Sequence, residues 1–440
     1  MIVFTEIPNN QFTYDVWDLS KYEGAHIIAV HPGEKGELPL NLTEDFHSAC
    51  SPQISYDGKN MLFAAKKNAE NPWQIWEMKL SNKKTRQITS FPENCISPDY
   101  LPGNRFVFSR LLTDDKVGTN YTIFSGNLDG SNISQITFDP RSHGALSVID
   151  DGRILTLSKQ EYPEKGKCKL LVLRPDGTKL ELFYKSDPDE KIVSPAIEMN
   201  GKIFFVETDN SKGGQLISLD YNLPLHSREV ITEGLPGEFA GVSGFNKTEL
   251  LVCYKKPNNR DFLLGVYNPE DQKFSELYSH DGYSIVKGVQ VKAYQRPKNL
   301  PSEVQMQEKS GLLMCQDINF TGIESLKDAG ILKADKIEIL GIDSTLGIIN
   351  VEEDGSFYIK VEADVPFRIQ TVSKDGDIIH GPGDWYYIRS NERRACVGCH
   401  TGPEIAPFNR QPLAVREAPV IIKENDELKM NAESKDYEHE

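Results

Sequence analysis

The sequence lacks the features that would place it in a membrane or on nucleic acid. It has no apolar run of about 18 residues or more, so no segment is predicted to cross a bilayer as a helix. Basic residues are outnumbered: 49 Lys and Arg stand against 65 Asp and Glu, which gives a formal net charge of −16. Nucleic acids and anionic membrane surfaces both require a basic footprint on the protein. Neither class of partner is therefore expected.

Cysteine is also scarce, with 7 in 440 residues. Two of them, Cys396 and Cys399, form a Cys-x-x-Cys-His motif with His400. Two thiols at this spacing can add to the two vinyl groups of one haem, with the histidine as an axial iron ligand. The motif thus predicts one covalently bound haem c. The remaining cysteines are scattered and odd in number, and predict no disulfide framework: Cys50, Cys95, Cys168, Cys253 and Cys315.

Two other chemistries use similar cysteine patterns. A thioredoxin-like redox pair begins a helix after a strand, and a structural zinc site needs a second Cys/His pair at a fixed spacing. Neither context surrounds residues 396–400, although a zinc site, a bare dithiol and an inert loop remain the alternatives to haem. Haem c is normally attached outside the cytoplasm, yet residues 1–11 lack the basic and apolar regions of a secretory signal. We therefore expect a periplasmic or otherwise exported protein whose signal peptide has been removed from this chain.

Residues 1–297 are predicted to form a six-bladed β-propeller. Short strand patterns and turns recur with a period of about 45 to 49 residues, which is typical of blades with four strands each. The clearest copies begin at Ser51 and Ser97, and their turn pattern is similar to that of TolB-like propellers. The first unit lacks its innermost strand. A spare strand from Gly288 to Tyr294 could supply it and close the ring without an open edge.

Three further regions are predicted after the propeller. Residues 298–389 alternate apolar strands with Asp-Gly turns and predict a small β-sandwich as a middle domain. Residues 390–422 are predicted to be a loop-rich, c-type haem-binding segment. Residues 423–440 are polar and acidic and are predicted to be disordered. The predicted fold class is all-β: a six-bladed β-propeller followed by a small β-sandwich and a loop-rich haem segment.

Three stretches carry a family resemblance: residues 346–361, 391–400 and 412–415. In these stretches, and in the order of its regions, the sequence resembles the hydrazine synthase alpha-subunit family. The resemblance implies a TolB-like six-bladed propeller, a β-rich middle domain and a c-type haem segment near the end. Family members that make hydrazine carry a second haem motif, associated with the catalytic haem, whereas this chain has one Cys-x-x-Cys-His. Hydrazine synthesis is therefore not expected.

Residues near the motif are candidates for contacts with the haem. Arg393 and Arg394 precede the first thiol and could pair with haem propionates, or could form a solvated charged turn. The sixth iron ligand decides between electron transfer and chemistry at iron, and in the resembling family it tends to be a second, downstream histidine. Here the downstream histidine is in the acidic tail, so His380 is the preferred candidate. The alternatives are an open site or one of His439, Met430, Met314, Tyr386 and Tyr387.

A second candidate site lies in the predicted propeller. Cys50, Cys95 and His143 occupy nearly equivalent positions at the starts of innermost strands. They could converge in the central channel on zinc or copper, which both accept soft thiolate and imidazole ligands. Buried cysteines with no common role are the alternative.

The leading functional hypothesis is an exported monohaem c-type cytochrome that passes single electrons, with the propeller as the docking platform for a redox partner protein or a substrate. One alternative is a haem-dependent oxidoreductase that acts on a small nitrogen or oxygen species. Another is a propeller scaffold in which the haem is structural. No catalytic residue is identified from the sequence, and a small-molecule substrate is left open.

Overall fold

The computed structural model describes residues 1–8, 11–32, 38–166, 168–209, 213–321, 333–399 and 405–422. These ranges contain strands, turns and two short 3₁₀ helices, Leu19–Tyr22 and Leu413–Arg416. Within them, no helix has the length and the apolar character needed to span a bilayer. The all-β fold class predicted from the sequence is confirmed.

The propeller is built from the first twenty-five strands of the described chain. In chain order they are β1 (Ile2–Pro8), β2 (His26–Val30), β3 (Leu40–Asn41), β4 (Ser48–Ile54), β5 (Asn60–Lys66), β6 (Gln74–Lys79), β7 (Lys84–Gln87), β8 (Cys95–Leu101), β9 (Arg105–Asp114), β10 (Gly118–Asn127), β11 (Ser134–Gln135), β12 (Arg141–Val148), β13 (Ile154–Gln160), β14 (Cys168–Leu173), β15 (Glu181–Lys185), β16 (Glu190–Ile192), β17 (Ile197–Met199), β18 (Lys202–Asp209), β19 (Gln215–Asp220), β20 (Glu229–Val230), β21 (Glu238–Gly244), β22 (Leu250–Lys255), β23 (Leu263–Asn268), β24 (Lys273–Tyr278) and β25 (Tyr283–Gln290). Their pairing in the described residues gives six antiparallel blades: β25-β1-β2-β3, β4 to β7, β8 to β11, β12 to β15, β16 to β20, and β21 to β24.

The inner strands of each blade are apolar on both faces because every blade packs between two others. In β5, every residue from Met61 to Lys66 is buried, whereas the outermost strand β7 is largely exposed. The outermost strands β11 and β20 are only two residues long. Such short edges leave few unpaired backbone groups for another chain to bind.

The ring is closed by pairing between the first and last strands of the propeller. β25 lies antiparallel to β1, with Gln290 opposite Ile2 and Gly288 opposite Phe4. The spare strand therefore starts at Tyr283, earlier than the sequence predicts. It supplies the missing innermost strand of the first blade, as expected.

The middle domain is an open sandwich of two four-stranded sheets in the described residues. Its strands are β26 (Ser310–Thr321), β27 (Lys336–Leu340), β28 (Thr345–Asn350), β29 (Phe357–Glu362), β30 (Arg368–Val372), β31 (Ile378–His380), β32 (Arg393–Cys399) and β33 (Val420–Ile421). One sheet has the order β32-β26-β29-β33 and the other the order β28-β27-β30-β31. A shared core that includes Leu313, Ile337, Ile359 and Phe367 holds the two sheets together.

The motif region differs from the sequence prediction, which places a separate, loop-rich segment from residue 390 onward. In the structure Arg393–Cys399 is a strand that pairs in parallel with β26, and Val420–Ile421 pairs in parallel with β29. Both short strands complete the first sheet of the sandwich. The reason is that β26 and β29 would otherwise present unpaired backbone groups at the two edges of that sheet.

Candidate functional site

The strand that carries the motif, β32, lies at the edge of the first middle-domain sheet. Arg393 is opposite Leu312 and Cys396 is opposite Cys315 in its parallel pairing with β26. Successive side chains of a strand point to opposite faces. Cys396 packs against the core between the sheets, in which Cys315 is buried, while Arg393 is exposed on the outer face.

The Cys396 thiol is free and partly buried. Burial raises its pKa, and the nearby Arg394 guanidinium opposes part of that rise. The ring of Tyr386 packs against the same core, and burial, with a smaller effect from charge on Cys396, raises the pKa of Tyr386 to about 12. A thiol in such surroundings stays neutral near pH 7, unlike the exposed, low-pKa thiolates of redox enzymes.

The second half of the motif is described only in part. Cys399 is the last residue of β32, and His400 lies outside the described residues, as do the tail candidates Met430 and His439. Their roles as ligands therefore stay predictions. Between the two cysteines, a Cβ at Gly398 would lie 2.2 Å from the carbonyl oxygen of Phe320. The close approach of β26 thus requires glycine at this position of the motif.

Both predicted arginines line a cavity of about 300 Å³. Arg394 is fixed to the propeller, because its guanidinium donates to the Leu180 carbonyl. The same guanidinium also lies 5.5 Å from the centre of the Tyr386 ring. A guanidinium has five N–H donors, so Arg394 can bind a carboxylate while it holds Leu180. Arg393 is exposed. The other lining residues are mainly apolar: Leu312, Met314, Tyr358, Ala395 and Val415.

The segment just before the motif is anchored to the blade formed by β12 to β15. The indole Nε1 of Trp385 donates to the Tyr162 carbonyl at 2.9 Å, and the Trp385 carbonyl accepts from Arg141 at 2.6 Å. Lys169 forms an ion pair with Asp384 at 2.8 Å. Trp385 therefore packs and bonds at the interface between the propeller and the middle domain.

Tyr387 and Glu392 bury polar groups in the same interface. The Tyr387 ring belongs to a propeller core cluster, and its hydroxyl donates to the Gly177 carbonyl at 2.8 Å. The Glu392 carboxylate accepts from the backbone N–H groups of Lys179 and Arg389, each at 2.8 Å. Burial raises the pKa of both Tyr387 and Glu392. The hydroxyl of Tyr387 is thus committed to the propeller.

His380, the preferred candidate for the sixth ligand, is the last residue of β31 and pairs with Thr371. β31 is an edge strand of the second sheet, whereas Cys396 lies at an edge of the first. The neighbouring Ile379 packs against the core, so strand alternation places His380 on the other face. His380 as a ligand stays a prediction.

The metal site considered for the propeller channel is not formed. Cys50 and Cys95 are buried in one apolar cluster, and His143 Nε2 is bonded to Asp139 Oδ1 at 2.8 Å. In the part of the chain that the structure describes, which includes all three candidate ligands, no three or more His, Cys, Asp or Glu residues form a group suited to a metal. The three side chains are held by different neighbours and do not converge.

A buried charge cluster around Asp139 was not found by sequence reasoning. Its Oδ2 lies 3.2 Å from Arg141 Nε, and its Oδ1 contacts His143. Burial raises the pKa of Asp139, but the charges of His143 and Arg141 outweigh that effect and lower it overall. Since Arg141 also donates to Trp385, the cluster supports the segment before the motif. The sequence contains a signal for this cluster, because three charged or titratable residues, Asp139, Arg141 and His143, lie within five positions beside a buried strand.

The described part of the site offers some of the groups that a covalently bound haem would use. Cys396 supplies a free thiol beside an aromatic ring, and Arg394 supplies a fixed guanidinium. Haem sites combine a thiol or histidine attachment with apolar walls and few, fixed polar groups. The thiol and Arg393 lie on opposite faces of β32, so Arg394 is the better placed of the two arginines for a group attached at Cys396.

Comparison with known proteins gives a consistent result. A family model described as the hydrazine synthase alpha subunit middle domain matches residues 299–401, which include the whole motif. Hydrazine synthase subunit alpha of Kuenenia stuttgartiensis is 34% identical over 101 residues, or 22% of this chain and 12% of that protein. The matched stretch thus covers about an eighth of that relative's length. The relative's activity as a whole is therefore not transferred.

Solved structures support the likeness in fold. The Kuenenia stuttgartiensis hydrazine synthase structure superposes with a TM-score of 0.79 at 20% identity, covering 94% of this chain and 71% of that chain. TolB from Acinetobacter baumannii superposes with a TM-score of 0.45 at 14% identity, over 65% of this chain and 66% of that chain. The propeller assignment rests on the strand pairing and on the first of these matches. Residues 299–401 thus match the hydrazine synthase alpha subunit middle domain, and most of the chain has the same fold as a hydrazine synthase chain.

Proposed function

We propose that this protein is an exported monohaem c-type cytochrome that passes single electrons. Cys396 and Cys399 attach the haem, and His400 is its first axial ligand. When bound, the haem supplies one-electron oxidation and reduction. The propeller is the platform on which a redox partner protein docks. The alpha-like middle domain, which includes the motif, supports this proposal.

The observation that carries the proposal is the anchoring of the segment before the motif. Trp385, Tyr387 and Arg394 each donate a side-chain hydrogen bond to a backbone carbonyl of the propeller. These three residues lie within ten positions of one another. A redox group attached at Cys396 is therefore held against a rigid ring and not on a loose terminus. Rigid support keeps the residues that hold a redox group in place when the charge of the group changes.

Each nearby residue has a definite task in this proposal. Arg394 can donate its remaining N–H groups to a carboxylate of the bound group while it stays fixed to Leu180. Tyr386 and the core around Cys396 exclude water from the attachment point. A dry, apolar shell around a redox group is one of the levers by which a protein sets its potential.

A second function is favoured by the cavity beside Arg393 and Met314. Its volume of about 300 Å³ is at the lower end of small-molecule sites. A haem-dependent oxidoreductase acting on a small nitrogen or oxygen species would need such a space. Addition of nitrite or hydroxylamine to the oxidised protein separates the two functions: an electron carrier keeps its visible spectrum, and the enzyme changes it.

The central test is covalent haem attachment. The full chain is made together with a haem c maturation system, and the pyridine haemochrome spectrum is recorded after denaturation. We expect one covalent haem per chain, lost when Cys396→Ser and Cys399→Ser are combined. Cys315→Ser is the matched control, because Cys315 is paired opposite Cys396 but lies outside the motif. Absence of a covalent haem band in the parent protein, or its survival in the double variant, would overturn the proposal.

A further inference from the structure

The central channel of the propeller is a pocket that is closed at one end. At that end, the channel is filled by residues that follow β1, among them Phe12, Tyr14 and Tyr22, and only about 60 Å³ of space remains. Towards the other end it opens into a cavity of about 310 Å³. That cavity is bounded by innermost strands of several blades and by the segment at residues 292–297. The volume lies within the range of small-molecule sites.

Lys287 stands at the junction of these two spaces and lines both of them. It lies on β25, the strand that closes the ring. Among the described residues its ammonium group has no hydrogen bond and no ion pair. Burial lowers the pKa of Lys287, and the charges of Asp99 and Cys50 oppose that effect. An ammonium held in a channel without a partner costs stability, and proteins keep such groups mainly where a ligand uses them.

Gln290 is the second unsatisfied group in the cavity. Its Oε1 atom is buried and has no hydrogen-bond partner among the described residues. Lys287 and Gln290 are three positions apart on β25, so strand alternation directs their side chains to opposite faces of the strand, and both residues line the cavity. Buried polar atoms of a native structure are nearly always paired, and each exception requires an explanation.

Carboxylates line the same cavity. Asp99 accepts from the backbone N–H groups of Tyr100 and Val148 at 2.8 and 2.9 Å, and burial raises its pKa to about 6. Glu198 accepts from the backbone N–H of Asp150 at 2.8 Å. Asp150 is the third acidic residue that lines it. A cavity with three carboxylates does not suit a simple anion, and one with an unpaired ammonium does not suit a simple cation. Both charges together suit a ligand that carries both.

We propose that this pocket binds a small zwitterion of the amino-acid class. The ligand carboxylate lies on the Lys287 ammonium, and the ligand ammonium faces Gln290 Oε1 and the Asp99 carboxylate. The apolar part of the ligand packs on the walls formed by Ile54, Val148, Ile197, Val242 and Val286. A ligand of this kind provides a partner for both the Lys287 ammonium and the Gln290 Oε1 atom. The proposal does not depend on whether the chain carries haem.

The test is equilibrium dialysis of the full-length protein. The probe is an equimolar mixture of the twenty common L-amino acids, each measured by mass spectrometry on both sides of the membrane. We expect one or a few amino acids to be enriched on the protein side. Lys287→Met should weaken that binding by at least about tenfold, because a charge-assisted hydrogen bond to the carboxylate is lost.

Lys292→Met is the matched control for this variant. Lys292 lines the same cavity, but its ammonium already donates to the Phe245 carbonyl, so the same substitution should leave binding unchanged. The melting temperatures of Lys287→Met and Lys292→Met, measured side by side, separate a loss of binding from a loss of folding. The desamino analogue of the enriched amino acid should bind at least about tenfold more weakly than its parent.

Three results would overturn the proposal. The first is that no amino acid is enriched by the folded parent protein. The second is that Lys287→Met and Lys292→Met behave alike, whether both bind or both fail. The third is that the desamino analogue binds as well as the amino acid, which would make the pocket an anion site.

Discussion

The propeller is a closed ring of strands, whereas the middle domain is an open sandwich. In the propeller, β25 pairs with β1, so strands from the two ends of residues 1–297 share one blade and close the ring. The middle domain is an open sandwich, and the segment that leads into its edge strand β32 is fastened to the propeller through Tyr387 and Glu392. The ring is complete in itself, whereas the sandwich relies on the ring to fix the edge that carries the motif. The position of the motif is thus set both by β26 within its own domain and by the propeller, which holds the segment before the motif.

Separating the two parts is the strongest way to break this comparison. We expect residues 1–297 alone to fold and unfold cooperatively, because all six blades and the closing strand lie within them. We expect residues 298–440 alone to stay largely unfolded, because Trp385 and Tyr387 lose the propeller groups that bury and bond them. Far-UV circular dichroism during urea titration checks both. Cooperative unfolding of the isolated second part would show that the sandwich does not need the ring.

A single side chain should reproduce part of that effect. Tyr387→Ala is expected to lower the free energy of unfolding by about 3–5 kcal/mol, since it empties a buried aromatic site in the propeller core. Tyr387→Phe keeps the ring and removes only the hydroxyl that bonds Gly177, so a loss of about 1–2 kcal/mol is expected. Urea denaturation of the full chain gives both values. Equal losses would mean that the hydroxyl, and not the packing, joins the two domains.

A change of pH should sharpen the comparison further, because Asp99 belongs to the propeller alone. Its pKa is raised from 3.8 to about 6 by burial, so the folded state binds its proton more tightly than the unfolded state. The contribution of Asp99 to stability is therefore largest below pH 4, falls between about pH 4 and 6, and is then constant, with a fall of at most about 3 kcal/mol. Asp99→Asn should remove this fall in isolated residues 1–297. A fall that persists in the variant would assign it to other carboxylates.

Local patterns explain why most of the fold could be predicted. The repeats that begin at Ser51 and Ser97 become equivalent bulges in β4 and β8, where both serines have positive φ values, 58° and 53°. The Asp354-Gly355 turn has Gly355 at φ 79°, a conformation that glycine adopts without strain. Each of these features is determined by a few neighbouring residues. They are therefore visible in the sequence without any knowledge of distant contacts.

The remaining features depend on residues that are far apart in the chain. Parallel pairing of β32 with β26 turns the motif from an expected loop into a strand, and no local pattern near Cys396 indicates it. The bond between Tyr387 and Gly177 joins two domains. One cavity brings together Lys287 of β25 and Asp99 of β8, which lie far apart in the chain. Such contacts arise only when the chain is folded.

Closure of the ring also determines the order in which the molecule can form. Ile2 is synthesised long before Gln290, and its strand stays unpaired on one side until Gln290 has been made. At synthesis rates of roughly 5–20 residues per second, this interval lasts about 15 to 60 seconds. Pairing across so long a stretch of chain is slow because much chain entropy is lost before the contact forms. A half-made chain therefore carries an open, apolar β1 edge, and during that time it is most exposed to aggregation.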